Sequence, residues 1–188
     1  MEKARLAQAP DVDVSRRDTT ASGTRATTVP VYLVRHAKAG SRKRWIGPDH
    51  QRPVSRSGRE QAEALVRLFA CRPLTRLVSS PHVRCVQTLE PLARARGIPL
   101  ETSDALAEGA SPDGALALAL ASAQTGPTAL CTHGDVIELL LAELARHDVP
   151  LETESGIELK KGSTWILHVR DAKVVEAEYI PPQSIDGR

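Results

Sequence analysis

A chain of 188 residues with 41% hydrophobic but only 3% aromatic residues has the material for one domain with an aliphatic core. Its formal net charge of +2 is too small to argue for nucleic-acid binding, and the apolar run 115–123 is far shorter than the ~20 residues a membrane span needs. The opening MEKARLAQAPDVDVSRRD lacks the apolar stretch of a secretory signal.

In chain order, residues 1–28 are rich in Ala, Thr, Ser, Arg and Asp and read as a disordered leader. The ordered domain is expected over 29–180, with 181–188 a frayed tail. Val31–Arg35 is a short continuous apolar run, as in a strand buried on both faces. Residues 37–55 are polar and irregular. Gly58–Ala70 places Ala62, Leu65, Val66 and Phe69 at helical spacing, with Ser57 and Glu60 as a capping box. Arg76–Ser79 reads as a strand and Val83–Arg96 as a helix that Pro91 should kink or break before Gly97 stops it. Pro99–Glu101 is a brief extended piece. Pro112–Ser122 is helical, Thr128–Thr132 a strand, and Asp135–Arg146 a strongly amphipathic helix. Ser163–Val169 and Lys173–Tyr179 form a closing hairpin around Arg170-Asp171-Ala172. Alternating strands and helices followed by a hairpin predict a three-layer α/β domain, with helices flanking a mainly parallel sheet.

Cys71, Cys85 and Cys131 are odd in number and lack CxxC spacing, which argues against a disulfide framework or a zinc site. They read as three buried, reduced thiols, which fits a cytoplasmic setting.

Ligands of such sheets bind at the carboxyl ends of the strands, and three of these strands end in polar chemistry. The first ends in Arg35-His36. The second runs through Ser79-Ser80-Pro81 into a helix carrying Arg84 in its first turn. Another ends in Thr132-His133-Gly134. A parallel sheet gathers these ends at one edge, so two arginines and two histidines converge. Guanidinium forks match phosphate oxygens, and an imidazole between two of them stays neutral and nucleophilic. His50, His82, His147 and His168 have no such partners in view and read as incidental.

VYLVRHAKAG at 31–40, VSSPHVRCVQTLEPLA at 78–93, LAEG at 106–109 and CTHGDVIELLLAEL at 131–144 stand in one order. Together they resemble the histidine phosphatase superfamily, the phosphoglycerate mutase-like group, over nearly all of residues 29–180. The resemblance implies that fold and a metal-independent phosphatase without a cofactor. In it His36 would become phosphohistidine, Arg35 and Arg84 would clamp the phosphoryl group, and His133 would bond the transferring oxygens. Glu108, in the LAEG segment, would be the general acid and then the base. Glu101, Asp104 and Asp113 lie close enough in sequence to compete for that role.

Arg35-His36-Ala37 departs from the group's more common RHG. RHAKAG is similar to the small branch of phosphohistidine phosphatases and to the domains found fused to Nudix hydrolases, here read as free-standing. The segment 38–59 sets Lys38, Arg42, Lys43, Arg44, Arg52, Arg56 and Arg59 against one acid, Asp49. It reads either as a solvated loop or as a basic rim for a substrate with several phosphates. Trp45 is expected to pin this loop. Ser41, Arg42 and Gly134 are candidate substrate contacts. The expected substrate is a phosphomonoester, phosphoramidate or nucleotide polyphosphate, supplied as a phosphorylated small molecule or a phosphohistidine protein. A mutase-like phosphotransferase and a non-catalytic phosphate-docking domain are the alternatives; nucleic-acid binding by the basic loop is weaker.

Overall fold

The computed structural model describes residues 27–153 and 156–183. Most of the expected leader, residues 1–26, and the end of the tail, residues 184–188, lie outside the described residues.

The strands are β1 (Val29–Arg35), β2 (Arg76–Ser79), β3 (Leu100–Thr102), β4 (Thr128–Thr132), β5 (Leu151–Glu152), β6 (Thr164–Arg170) and β7 (Lys173–Ile180). They form one sheet in the order β3-β2-β4-β1-β6-β7-β5. Strands β3, β2, β4 and β1 are mutually parallel. Strand β6 runs antiparallel to β1 and β7, and the short β5 pairs parallel with β7 at the far edge.

Helices α1 (Arg56–Leu68) and α2 (Val83–Arg96) pack on one face, and α3 (Pro112–Thr125) and α4 (Gly134–Arg146) on the other. The alternation of β1 makes the division visible. Val31 and Leu33 join Ala119, Val136, Leu140 and Leu141, whereas Tyr32 and Val34 join Leu65, Phe69, Leu89 and Leu92. A strand covered on both sides cannot alternate apolar with polar residues, so β1 is a continuous apolar run.

Several expectations need correction. The N-cap of α1 is Ser55, whose Oγ accepts from the Gly58 amide at 3.1 Å, not Ser57. Ser55 also donates from its amide and its hydroxyl to the Lys38 carbonyl, so the cap is also the anchor of the loop after β1. Gly58 serves the same junction: a Cβ there would sit 1.9 Å from the Lys38 carbonyl oxygen. Pro91 does not break α2, which runs on to Arg96 with Pro91 buried. Packing of Leu89 and Leu92 into the core outweighs the lost backbone bond. Gly97 ends that helix in the left-handed conformation, as expected (φ 63°). Strand β5 was not foreseen, because two residues carry no periodicity. Cys71 is exposed, and only Cys85 and Cys131 are buried.

Candidate active site

The ladder of the sheet continues past the strands and sets the site. The His36 amide donates to the Thr132 carbonyl (3.0 Å), and the Ser80 amide to the Cys131 carbonyl (2.8 Å). The ends of β1, β2 and β4 are therefore held level. His36 and His133 face each other at a ring-centroid distance of 5.2 Å, and both are buried. The Ala37 amide donates to Thr88 Oγ1 (2.9 Å), and the Val54 amide to Gln87 Oε1 (3.0 Å). The Gln-Thr pair of α2 thus braces both ends of the loop that follows β1.

His36 Nδ1 lies 2.8 Å from the Ala37 carbonyl oxygen. A carbonyl can only accept, so Nδ1 carries the hydrogen and Nε2 keeps its lone pair. Burial pushes the His36 imidazole down to about 4, with Arg84, Arg35 and Lys161 adding to the fall. The ring is neutral, as the sequence suggests, but desolvation is the first cause and the guanidiniums the second. His133 is pushed down to about 2, again by burial first and then by Arg84 and the neighbouring histidines.

Arg84 is fully buried and is the centre of the polar network. Its Nη2 donates to Glu108 Oε2 (2.8 Å) and to His133 Nδ1 (3.3 Å), and its Nη1 donates to the Asp49 carbonyl (2.9 Å). Arg35 lies close against Gly134: a Cβ at that position would lie 2.8 Å from the guanidinium carbon. Gly134 therefore provides room for Arg35 as well as lining the cavity. The Nε atoms of Arg35 and Arg84 are buried with no hydrogen-bond partner.

Glu108 comes to the site, while Glu101 on β3 pairs with Arg76 at the start of β2, the end opposite the site. Thr132 Oγ1 donates to the Leu106 carbonyl (2.7 Å), and Asp135 accepts from the Gly109 amide (2.8 Å). The loop bearing Glu108 is thereby tied to β4 and α4 on either side of the carboxylate. Arg42 closes over it, donating to Glu108 (2.8 Å) and to Asp49 (3.1 Å).

The basic loop is organised differently from the expectation. Ala39 and Val54 form an isolated antiparallel bridge, so the segment doubles back and only part of it faces inward. Asp49 is the acceptor for Arg42 and Arg52 and lies 3.2 Å from Arg84 Nη1. These cations, Arg52 first, hold its carboxyl well below the usual range. Arg56 pairs instead with Glu60, and Arg59 lines a separate hollow between α1 and α2. Trp45 pins the loop by donating to the Pro48 carbonyl (3.1 Å).

The resulting cavity, about 560 Å³, is lined by Arg35, His36, Ser41, Arg42, Arg52 and Glu108, with His133, Gly134 and Lys161 completing its walls. A volume of that size accommodates a small-molecule ligand, on the scale of roughly 300–1,000 Å³. Arg52 belongs to the basic rim the sequence suggested, but Lys161 escaped the sequence reading, Ser80 was given no role and His82 was read as incidental. Ser80 and His82 lie in the same SSPHVR segment as Arg84, which was the available signal. Lys161 had none, because it reaches the site only through the pairing of β6 with β1. Among the described residues no group of three or more His, Cys, Asp or Glu is placed to hold a metal ion, and no helix is long and apolar enough to cross a membrane.

A neutral histidine of fixed tautomer at a strand end, beside guanidiniums with unsatisfied donors, is an arrangement chemically able to hold a phosphoryl group in an α/β protein. Residues 31–111 match the family described as histidine phosphatase superfamily (branch 1), which places this segment of the chain in that superfamily. A curated relative, the 8-oxo-(d)GTP phosphatase of Mycolicibacterium smegmatis, is 38% identical over 161 residues, covering 82% of this chain and 49% of that one. The chain thus spans about half the length of that relative. SixA from Agrobacterium tumefaciens matches with 26% identity and a TM-score of 0.61, over 82% of this chain and 99% of the other. The fold is also that of the protein histidine phosphatase SixA complexed with tungstate (17% identity, TM-score 0.65, 82% and 96% covered).

Proposed function

We propose that the protein is a phosphatase that hydrolyses its substrate through a covalent phosphohistidine on His36. The observation that carries this reading is the hydrogen bond from His36 Nδ1 to the Ala37 carbonyl, which leaves a neutral Nε2 lone pair in a cationic cavity. Arg35 and Arg84 take the phosphoryl oxygens, and their buried, unpartnered Nε atoms are donors that an anion satisfies. Glu108 protonates the leaving oxygen and then takes a proton from the attacking water. The reaction is chiefly positioning and charge stabilisation, and the guanidiniums supply the positive field without a metal.

For substrate class we favour a nucleoside polyphosphate. Arg42, Arg52 and Lys161 extend the positive lining beyond what one phosphoryl group needs, and the Mycolicibacterium relative is named for a nucleoside triphosphate. Phosphohistidine on a protein is the second reading, favoured by the exposed position of Arg42 and by the SixA neighbours. The cytoplasm fits thiols that form no disulfide.

Incubation with a labelled phosphodonor should give an acid-labile phosphoenzyme that His36→Ala does not form. A panel of 8-oxo-GTP, GTP, p-nitrophenyl phosphate, a sugar phosphate and a phosphohistidine protein then ranks the substrates. Absence of label, with no hydrolysis above the His36→Ala control, would leave the docking-domain alternative. Phosphoryl transfer to an acceptor sugar phosphate instead of water would favour the mutase.

A further inference from the structure

We propose that Ser80 and His82 form a proton relay behind His133, which lets His133 present an Nδ1–H to a phosphoryl group entering the cavity. The inference rests on the phosphatase reading for the identity of that group, and on hydrogen-bond geometry for the relay itself.

Donor and acceptor roles follow from chemistry at each atom. Arg84 Nη2 faces His133 Nδ1 at 3.3 Å, and a guanidinium has hydrogens only to give. Nδ1 therefore accepts, and the one hydrogen of the neutral ring is on Nε2. That nitrogen lies 2.9 Å from Ser80 Oγ and 3.4 Å from Cys85 Sγ. Ser80 Oγ also accepts from the His82 amide at 3.3 Å, so both its lone pairs are used. Its own hydrogen is left for His82 Nδ1 at 3.2 Å. The two imidazoles lie 4.6 Å apart, centroid to centroid. The result is a continuous N–H···O–H···N chain from buried His133 to partly exposed His82.

This arrangement has the wrong polarity for a phosphoryl ligand. Phosphoryl oxygens accept hydrogen bonds, and they compete for Arg84. The Nδ1 lone pair of His133 would then face acceptors. A phosphomonoester monoanion still carries one acidic hydrogen, since its second ionisation lies near pH ~6, and the inorganic monoanion carries two. When it binds, its O–H bond breaks and the proton forms Nδ1–H on His133. The Nε2 hydrogen passes to Ser80 Oγ as the Ser80 hydrogen passes to His82 Nδ1. One proton has moved from phosphate to His82. His133 remains neutral, now donating from Nδ1 to the phosphoryl dianion, and the sequence reverses on product release.

The surroundings of His82 favour this only with an anion present. His82 is held below its ordinary value by burial and by Arg84, with His50 adding to the effect and Glu108 and Asp49 opposing it. His50 stands 6.3 Å away on the loop side, while His36 and Cys85 contact His133 rather than His82. An anion on Arg84 offsets the guanidinium that suppresses both rings. His82 and Ser80 are thus positioning residues, acting through His133.

Nitrogen NMR of the histidine side chains in the full chain tests the relay, with and without inorganic phosphate at neutral pH. Without phosphate His133 should be the Nε2–H tautomer; with it, His133 should become Nδ1–H and His82 doubly protonated. His82→Gln can hydrogen-bond but not accept a proton, so its His133 should stay Nε2–H. Ser80→Ala should behave alike, and thermal melting checks that it folds. In hydrolysis of p-nitrophenyl phosphate, His82→Gln should lower kcat about tenfold, leave KM within about twofold, and remove an acidic limb from the pH profile. A wild-type His133 that keeps Nε2–H with phosphate bound, or a switch that survives in His82→Gln, overturns the relay. A switch present in a protein without hydrolysis would keep the relay and sink the phosphatase. Phosphate that moves no histidine signal overturns both.

Discussion

The two walls of the cavity are built on opposite principles. The strand-end wall carries His36 and His133, with Arg84 of α2 behind them and bonded to His133; all three are buried, and each follows directly from an element packed into the core. The wall formed by residues 38–55 carries Arg42 in one short 3-10 turn, Arg42–Arg44, and Arg52 directly after a second, Asp49–Gln51; neither turn holds a buried residue, although Arg52 itself is buried. It is held by Asp49, which joins Arg42, Arg52 and Arg84, and by backbone bonds from Ser55 to Lys38. On the proposed function, the groups that react are held by the sheet ends and α2, whereas the groups proposed to choose the substrate are on a loop fastened by charge. Arg84 belongs to both walls, because its Nη1 holds the loop through the Asp49 carbonyl and its Nη2 holds His133 and Glu108.

The sharpest way to break the contrast is at its reactive end. His36→Ala should abolish the phosphoenzyme and cut hydrolysis by on the order of 10⁴ or more, while circular dichroism and melting show an intact fold. Arg84→Ala should damage both walls together, costing about 3 kcal/mol in urea denaturation as well as activity. Its carboxylate partners are about a third exposed, so the loss should fall at the lower end for a broken buried pair. Arg84→Lys should recover part of the stability but not the forked geometry.

Acid should act on the strand-end wall. The folded form holds His36 at about 4, below its ordinary 6.5, so between those values the unfolded chain binds more protons. Stability from this group is complete above pH ~6.5 and is lost as pH falls toward 4, up to about 3 kcal/mol. His133 acts in the same direction. Denaturant midpoints measured from pH 8 to 4 should decline in that window, and His36→Gln should flatten the decline.

The smallest effect belongs to the loop. Asp49→Asn should cost only about 1 kcal/mol, because Arg42 and the carboxylate are substantially exposed. It should raise KM for a polyphosphate more than it lowers kcat. Equal loss in both would mean that the loop serves the reactive wall too, and the contrast would have to be redrawn.

Much of the strand-end wall is legible in one dimension. A strand covered by helices on both faces must be an apolar run, so its polar terminus stands out, as Arg35-His36 and Thr132-His133 do. Helix α3 follows from its Ala/Leu-rich composition, and helix α4 and the hairpin of β6 and β7 from periodicity and turn residues, for equally local reasons. The RHA, SSPxxR and HGD segments by themselves point to a phosphoryl site. What they do not contain is the pairing of charges across the cavity. Asp49 as the acceptor for Arg42 and Arg52, Glu108 rather than Glu101 under Arg84, and Lys161 arriving from the turn before β6 all depend on strand order. So does His82, which the sequence set aside and the structure sets edge-on to His133. Composition and periodicity determine which large apolar residues form the core, because their burial follows hydrophobicity along each element. Only the tertiary structure decides which buried groups meet, because hydrogen bonds and ion pairs need contact within a few ångströms between residues far apart in the chain.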